Sequence, residues 1–260
     1  IRFKVMKSFV KKVTVLAVAF SMASSTLANA QEEDGKVNFS VQGDLVSSYI
    51  WRGMYQSGAA VQPTLGLQVA GFSLTAWGSV DFTGQGHKEA DITAAYTIAG
   101  LTISVADLWW AGQSGIYNDR ENDKNNYFNF DNHTTDHIFE AGLSYALPVE
   151  KFPLSISWYT MFAGGDRKTI SDGSRVNAYS SYMEFGYPFT VKGVQLNAAV
   201  GCSPWRSEQY KNDDFAVTNV SLKATKEIHF NERFSLPVYT QVIWNPNRED
   251  VHFVFGITIR

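Results

Sequence analysis

The chain is poor in cysteine and in charged residues. It has 260 residues with one cysteine, Cys202, and 18% of them are charged. A single cysteine excludes a disulfide framework and a cysteine-rich zinc site. Lysine and arginine number 22 against 25 acids, a formal charge of −3 that offers no basic excess for binding nucleic acid. No uninterrupted apolar run reaches the ~18 residues that a transmembrane helix needs.

Hydrophobic and aromatic residues are plentiful. They make up 45% and 14% of the chain, with 18 Phe, 12 Tyr and 7 Trp. This content is too apolar for a disordered protein. A single β-barrel commonly fills ~200–250 residues, so the length suits one such domain.

Residues 1–30 are predicted to be a secretory signal peptide. They combine a basic head, the apolar run 13–20 and the small-residue exit 28–30, an A-x-A cleavage pattern. An amphipathic first helix is the alternative. Removal of this segment takes away five positive charges and no acid, which changes the formal charge from −3 to −8. The remaining domain, residues 31–260, is therefore expected outside the cytoplasm.

The mature chain alternates between apolar and polar residues with a period of two. The first example is residues 37–52, predicted as one strand of sixteen residues, with Tyr49 and Trp51 on its apolar face and Asp44 and Arg52 on its polar face. The pattern recurs about twelve times in segments of about ten residues, the length at which a tilted strand crosses a bilayer.

The predicted connections alternate between long and short. The long ones are 52–60, 83–89, 111–136, 163–177, 203–214 and 245–250, and the short ones are 70–71, 99–100, 148–153, 190–193 and 227–233. Long loops on one side and tight turns on the other are typical of outer-membrane barrels. We predict an all-β fold, a single antiparallel up-and-down transmembrane β-barrel of about 12 strands in the cell outer membrane. A soluble β-sandwich is the alternative.

One motif resembles a known family. Val46-Ser-Ser-Tyr-Ile-Trp-Arg-Gly53, followed by Gln62-Pro63 and by Ala76-Trp77-Gly78-Ser79, is similar to the start of the Gcw_chp family of uncharacterised Gram-negative outer-membrane proteins, in particular its Bacteroides-type members. The resemblance implies an outer-membrane β-barrel. It implies no activity.

The polar faces of the predicted strands supply the candidate lumen. Acids outnumber bases there, so a channel would favour cations or neutral polar solutes. A packed polar core without conductance is the alternative. The residues expected to line the lumen are Asp44, Arg52, Asp81, Asp91, Glu140, Tyr159, Tyr182, Glu184, Lys223 and Tyr239.

The predicted loop 111–136 is rich in Asn, Asp and aromatic residues, so it is expected to fold into the barrel mouth or to bind an extracellular ligand. Its spacing does not match a calcium-binding loop. His133 and His137 lack the further ligands of a structural zinc site, and we expect them to be exposed at the rim. No metal and no cofactor are predicted.

Three functions remain open. The first is a narrow channel or binding barrel for small polar solutes, with outer-membrane lipid as its surroundings. The second is a non-conducting structural or surface-interaction barrel that acts through loop 111–136. The third is a membrane-embedded hydrolase; because no G-x-S-x-G motif is present, we do not expect an enzyme.

Overall fold

The computed structural model describes residues 36–84, 87–112, 127–131, 134–149, 152–231 and 234–260. These residues form the strands β1 Asn38–Val46, β2 Tyr49–Trp51, β3 Met54–Ser57, β4 Ala60–Val69, β5 Phe72–Asp81, β6 His87–Ile98, β7 Leu101–Leu108, β8 Trp110–Gly112, β9 Ile138–Ala146, β10 Ser155–Gly164, β11 Arg167–Thr169, β12 Arg175–Asn177, β13 Ser181–Val191, β14 Val194–Ser203, β15 Ala216–Asn231, β16 Phe234–Asn245 and β17 Asp250–Ile259. Within these ranges no helix is long and apolar enough to cross a membrane. The predicted signal peptide, residues 1–30, lies outside the described residues, as does His133.

Twelve of the strands form one closed antiparallel wall. Their order around the barrel is β1, β4, β5, β6, β7, β9, β10, β13, β14, β15, β16 and β17. The first and last strands close the circle, with Gly43 paired to Ile259. Strand β8 continues the line of β7 by pairing with the start of β6. The predicted fold class is therefore confirmed, and the wall leaves no open edge.

Short turns lie at one end of the barrel and long loops at the other. Three of the short turns have two residues with positive φ at both positions: Ala70-Gly71, Ala99-Gly100 and Lys192-Gly193. This is the type I′ geometry, whose twist matches that of the flanking strands. At the long-loop end, two connections carry hairpins of their own, β2–β3 and β11–β12.

The wall separates an apolar outside from a polar inside. On β1, Val41 is 71% exposed, whereas its neighbours Gln42 and Asp44 are 5% and 6% exposed. The other strands repeat this alternation, so the outward side chains form a continuous apolar surface. A closed barrel with such a surface satisfies its backbone hydrogen bonds internally and belongs in the outer membrane.

The first strand is shorter than predicted. It ends at Val46, and residues 47–59 leave the wall. Ser47 explains the exit: its backbone N–H still donates to Phe255 O at 2.8 Å, but its side-chain Oγ accepts the Phe255 N–H at 2.9 Å. The hydroxyl thereby replaces a ladder carbonyl, and the chain can turn inward. The prediction that Tyr49 and Trp51 face lipid is wrong, because Tyr49 is buried inside the barrel against Trp77.

Candidate functional site, a hairpin across the lumen

The hairpin β2–β3 lies in the interior of the barrel. Its tip is the turn Arg52-Gly53, with φ angles of 49° and 84°. Gly53 packs backbone to backbone against β15, three strands from β1 in the wall, where a Cβ would lie 1.8 Å from the Thr218 carbonyl oxygen. The Gly53 carbonyl accepts a hydrogen bond of 3.1 Å from the buried amide of Asn245. The backbone of the hairpin therefore lies inside the barrel against β15 and β16, and the Arg52 side chain reaches from its tip across the lumen.

Arg52 fastens the tip to the far side of the wall. Its Nη1 and Nη2 donate to the two carboxylate oxygens of Glu140 on β9 at 2.6 and 2.8 Å. Nη1 also donates to the Tyr210 hydroxyl at 2.7 Å. Burial raises the pKa of the Tyr210 phenol, so this hydroxyl is neutral at ordinary pH and accepts the bond. A bidentate arginine–carboxylate pair combines charge with a defined geometry.

Aromatic rings enclose the guanidinium. Its Cζ lies 4.5 Å from the centre of the Trp51 ring, 4.4 Å from that of Tyr159 and 4.8 Å from that of Tyr182. Trp51 in turn stacks on Tyr210, with ring centres 5.9 Å apart. These distances are within the range of cation–π attraction. We call Glu140, Tyr159, Tyr182 and Tyr210 the arginine pocket.

A second network supports one wall of the arginine pocket. The Tyr182 hydroxyl donates to Glu184, and the Asn219 amide donates to the same Glu184 oxygen at 3.0 Å. Each partner lies on a wall strand, β13 or β15. The carboxylate of Glu184 is thus held beside Tyr182. It also interacts electrostatically with the guanidinium of Arg52.

Inward glycines make room for the three tyrosines that were predicted to line the lumen. A Cβ on Gly142 would lie 2.9 Å from the Tyr159 ring, one on Gly201 would lie 1.9 Å from the Tyr182 hydroxyl, and one on Gly256 would lie 2.2 Å from the Tyr239 ring. The tyrosine rings therefore lie flat along the wall, over the glycines. Each ring can adopt this orientation because the glycine beside it has no side chain.

A separate group of charges lies nearer the turn end. The Lys223 ammonium is 3.8 Å from the centre of the Tyr239 ring, and it interacts electrostatically with Asp44. Asp44 accepts a hydrogen bond from Thr258. A cavity of about 20 Å³ lies between this group and the base of the hairpin, bordered by Tyr49 and Lys223 among others. One water molecule needs roughly 10–15 Å³, so the cavity has room for one or two.

The ten predicted lumen residues thus fall into three sets. Arg52, Glu140, Tyr159, Tyr182 and Glu184 meet at the hairpin tip, and Asp44, Lys223 and Tyr239 meet nearer the turns. Asp81 and Asp91 belong to neither set; both lie on the inward side, where Asp81 is bonded to Thr83 and Asp91 accepts the Trp109 backbone N–H at 3.2 Å.

Sequence reasoning missed two members of the site, Trp51 and Tyr210. Trp51 was assigned to the lipid face by the alternation rule, although the Arg-Gly pair that follows it is a turn signal. Tyr210 lies in a loop and gave no signal, because only the folded loop brings it to Arg52.

The expectation of exposed rim histidines is wrong for His137, which is fully buried. Its Nδ1 lies 2.7 Å from Asp107 Oδ1, and its Nε2 meets the Tyr127 carbonyl oxygen. Phe130 stacks on the imidazole with ring centres 4.4 Å apart. Both ring nitrogens therefore lie against oxygen partners, and the imidazole is enclosed by its neighbours.

The sequence position of His137 places it on the outward side of the wall. It precedes Phe139, Ala141 and Leu143, the outward residues of β9. Residues 127–131 of the long loop fold against this outer face. Residues 113–126 lie outside the described part of the chain. Within the described ranges, no group of three or more potential metal ligands comes together.

The model of a bacterial protein family of unknown function, Gcw_chp, matches residues 30–236. No curated protein matches the chain. Among solved structures, a KdgM porin matches at 9% identity with a TM-score of 0.47, covering 84% of this chain and 98% of its own. A NanC porin matches at 9% identity and 0.42, covering 84% and 96%. OmpF of Salmonella typhi matches at 9% and 0.37, covering 86% and 97%.

Proposed function

We propose that this chain, which belongs to the Gcw_chp family of bacterial proteins of unknown function, is a narrow outer-membrane channel for small polar solutes that hairpin β2–β3 closes. The wall is a continuous closed sheet with polar side chains inside. Solutes would pass along this polar interior when the hairpin leaves the lumen.

One observation carries the proposal. The hairpin β2–β3 is a two-stranded sheet of its own, separate from the ladder of the wall. A barrel that serves only as a scaffold can fill its interior with side chains of its wall strands. Here the closure is made by a loop element that can move without breaking the backbone hydrogen bonds between wall strands.

The contacts of the hairpin suit reversible closure. Its tip is held by the Arg52–Glu140 pair and by the Asn245–Gly53 hydrogen bond, which are polar contacts that water can replace. Hydrophobic contacts also form: Ile50 packs with Val46 and Ile243, and Met54 packs with Tyr182 and Tyr210. The closed state is therefore the stable one, and open intervals are brief.

No catalytic step is part of the proposal. His137 is buried, and each of its two ring nitrogens lies against an oxygen partner. The surface-interaction alternative depends on loop 111–136, of which residues 113–126 are outside the described chain. It stays as an outcome of the test below.

Liposome swelling with polar solutes of increasing size tests the proposal. The compared proteins are the wild type, a variant in which Gly and Ser replace residues 49–57, and Arg248→Ala, which removes an exposed arginine of the last loop. We expect slow swelling for the wild type and for Arg248→Ala, and fast swelling for the hairpin variant. If all three correctly inserted proteins give no swelling, the barrel is a non-conducting one.

A further inference from the structure

Three of the four residues of the arginine pocket lie on wall strands, and none of the four belongs to the hairpin. Glu140 lies on β9, Tyr159 on β10 and Tyr182 on β13, while Tyr210 comes from the loop after β14. Arg52, the single charged residue in the hairpin sequence 49–57, enters it. When the hairpin leaves the lumen, the same carboxylate and rings remain, and the pocket stands empty.

The chemistry of the pocket selects a planar cation. Two carboxylate oxygens 2.6 and 2.8 Å from two nitrogens fit the parallel donors of a guanidinium. The rings of Tyr159 and Tyr182 present their faces to its centre at 4.4 and 4.8 Å. Rings attract a cation through the negative charge of their faces, and they offer no such attraction to a neutral solute.

The charges of the lumen also favour a cation. Among the described inward residues the acids include Asp44, Asp81, Glu89, Asp91, Glu140, Asp166, Glu184 and Glu227, and the bases include Arg52, Lys223 and Arg260. When Arg52 departs, Glu140 loses its salt-bridge partner, and its carboxylate is left unpaired among the rings of the pocket. A solute that supplies a positive charge at this position restores the pair.

We propose that the arginine pocket is a binding site for small solutes that carry a guanidinium or amine group, and that Arg52 occupies it in the closed channel as the chain's own substitute for such a solute. The regulatory part rests on the proposed channel function; the binding site itself does not. A cationic solute competes with Arg52, and each binding event favours the open hairpin.

Removal of Arg52 tests the site without any measurement of current. The Arg52→Ala variant lacks the side-chain atoms beyond Cβ, and ethylguanidinium supplies the same atoms as a free solute. Ethylurea has nearly the same shape without the charge and is the neutral control. We expect millimolar ethylguanidinium to raise the thermal unfolding temperature of Arg52→Ala, while ethylurea and sodium chloride of equal ionic strength leave it unchanged. The dissociation constant should be at least ~10-fold smaller than for the wild type, in which Arg52 competes.

The double variant Arg52→Ala/Glu140→Gln is the matched control. It keeps the shape of the pocket and removes its charge, so the stabilisation by ethylguanidinium should disappear. Stabilisation that persists in the double variant, or that ethylurea produces equally, would overturn the binding site.

A second measurement on the wild type decides the matter if Arg52→Ala fails to fold. Millimolar ethylguanidinium should raise the fraction of time that single wild-type channels are open by ~5-fold or more, and ethylurea should not. Equal effects of the two compounds would overturn the proposal. Binding by Arg52→Ala in a barrel that never conducts would refute the channel function and leave the site in place.

Discussion

The guanidinium of Arg52, six residues beyond the end of β1, forms a bidentate pair with the carboxylate of Glu140 on β9, on the opposite side of the barrel. The side chains are only 12% and 7% exposed. A contact between residues 88 positions apart in the chain thus joins a loop to the far wall. Because the pair is shielded from water, each charge is stabilised mainly by the opposite charge of its partner.

The first prediction concerns the coupling of this pair. Removing one member leaves an unpaired buried charge, so Arg52→Met and Glu140→Leu should each lower the free energy of unfolding by about 3–5 kcal/mol. The double variant should recover most of the loss, because neither charge remains. Urea unfolding of detergent-solubilised protein measures all three values, and additive losses would show that the two residues do not interact.

The second prediction concerns the contact of the hairpin tip with the wall. Gly53→Ala places a Cβ 1.8 Å from the Thr218 carbonyl, so the tip must leave the wall and solutes should pass faster in liposome swelling. Gly173→Ala is the matched control: it has a φ of 85°, against 84° for Gly53, but open space around the new Cβ. Equal swelling rates of the two variants would contradict the role of the Gly53 contact in closing the lumen.

The third prediction concerns the tyrosines that lie over glycines. In Gly201→Ala the new Cβ would meet the Tyr182 hydroxyl at 1.9 Å, so the ring must move away from Arg52 and Glu184. We expect a loss of about 1–3 kcal/mol of stability, as for other overpacked interiors. Gly43→Ala, a strand glycine with nothing within 4 Å of its Cβ position, should cost less than half as much. A similar loss in both variants would refute the role of the glycine.

The fourth prediction concerns the histidine on the outer face of the wall. His137→Ala leaves Asp107 and the Tyr127 carbonyl without their shared partner, and it removes the surface on which Phe130 stacks. Residues 127–131 should detach from the wall, and limited proteolysis should cut them at least ~10-fold faster than in the wild type, since cleavage follows the population of the open segment. His229→Ala, which alters an exposed residue near the turn end, serves as the control. Unchanged cleavage in His137→Ala would contradict this anchoring.

The strand pattern could be predicted from sequence because alternation records which side chains face lipid. The strands β4, Ala60–Val69, and β5, Phe72–Asp81, keep this rule, and their turn 70–71 lies where it was expected. The rule fails at Ser47, where a side-chain oxygen takes the place of a backbone acceptor and ends the strand. Beyond that point Tyr49 and Trp51 still alternate, but in a hairpin that faces the lumen.

The candidate site was predictable as a list and not as an arrangement. Polarity on inward faces pointed to Arg52 and Glu140 separately, but their pairing depends on where the hairpin tip reaches across the barrel. Tyr210 had no pattern to mark it, because loops lack a period. His137 was misjudged because its burial comes from residues 127–131, a loop that folds back over the outer wall.

Single-channel recording in planar bilayers tests the central claim most directly, by comparing the wild type with Arg52→Ala and with the control Arg248→Ala under identical conditions. The hairpin account predicts rare, brief openings for the wild type and the control, and openings at least ~10-fold more frequent for Arg52→Ala, since loss of even 1.4 kcal/mol of closing free energy shifts the equilibrium tenfold. Equal open times for all three proteins, each verified as inserted, would contradict it.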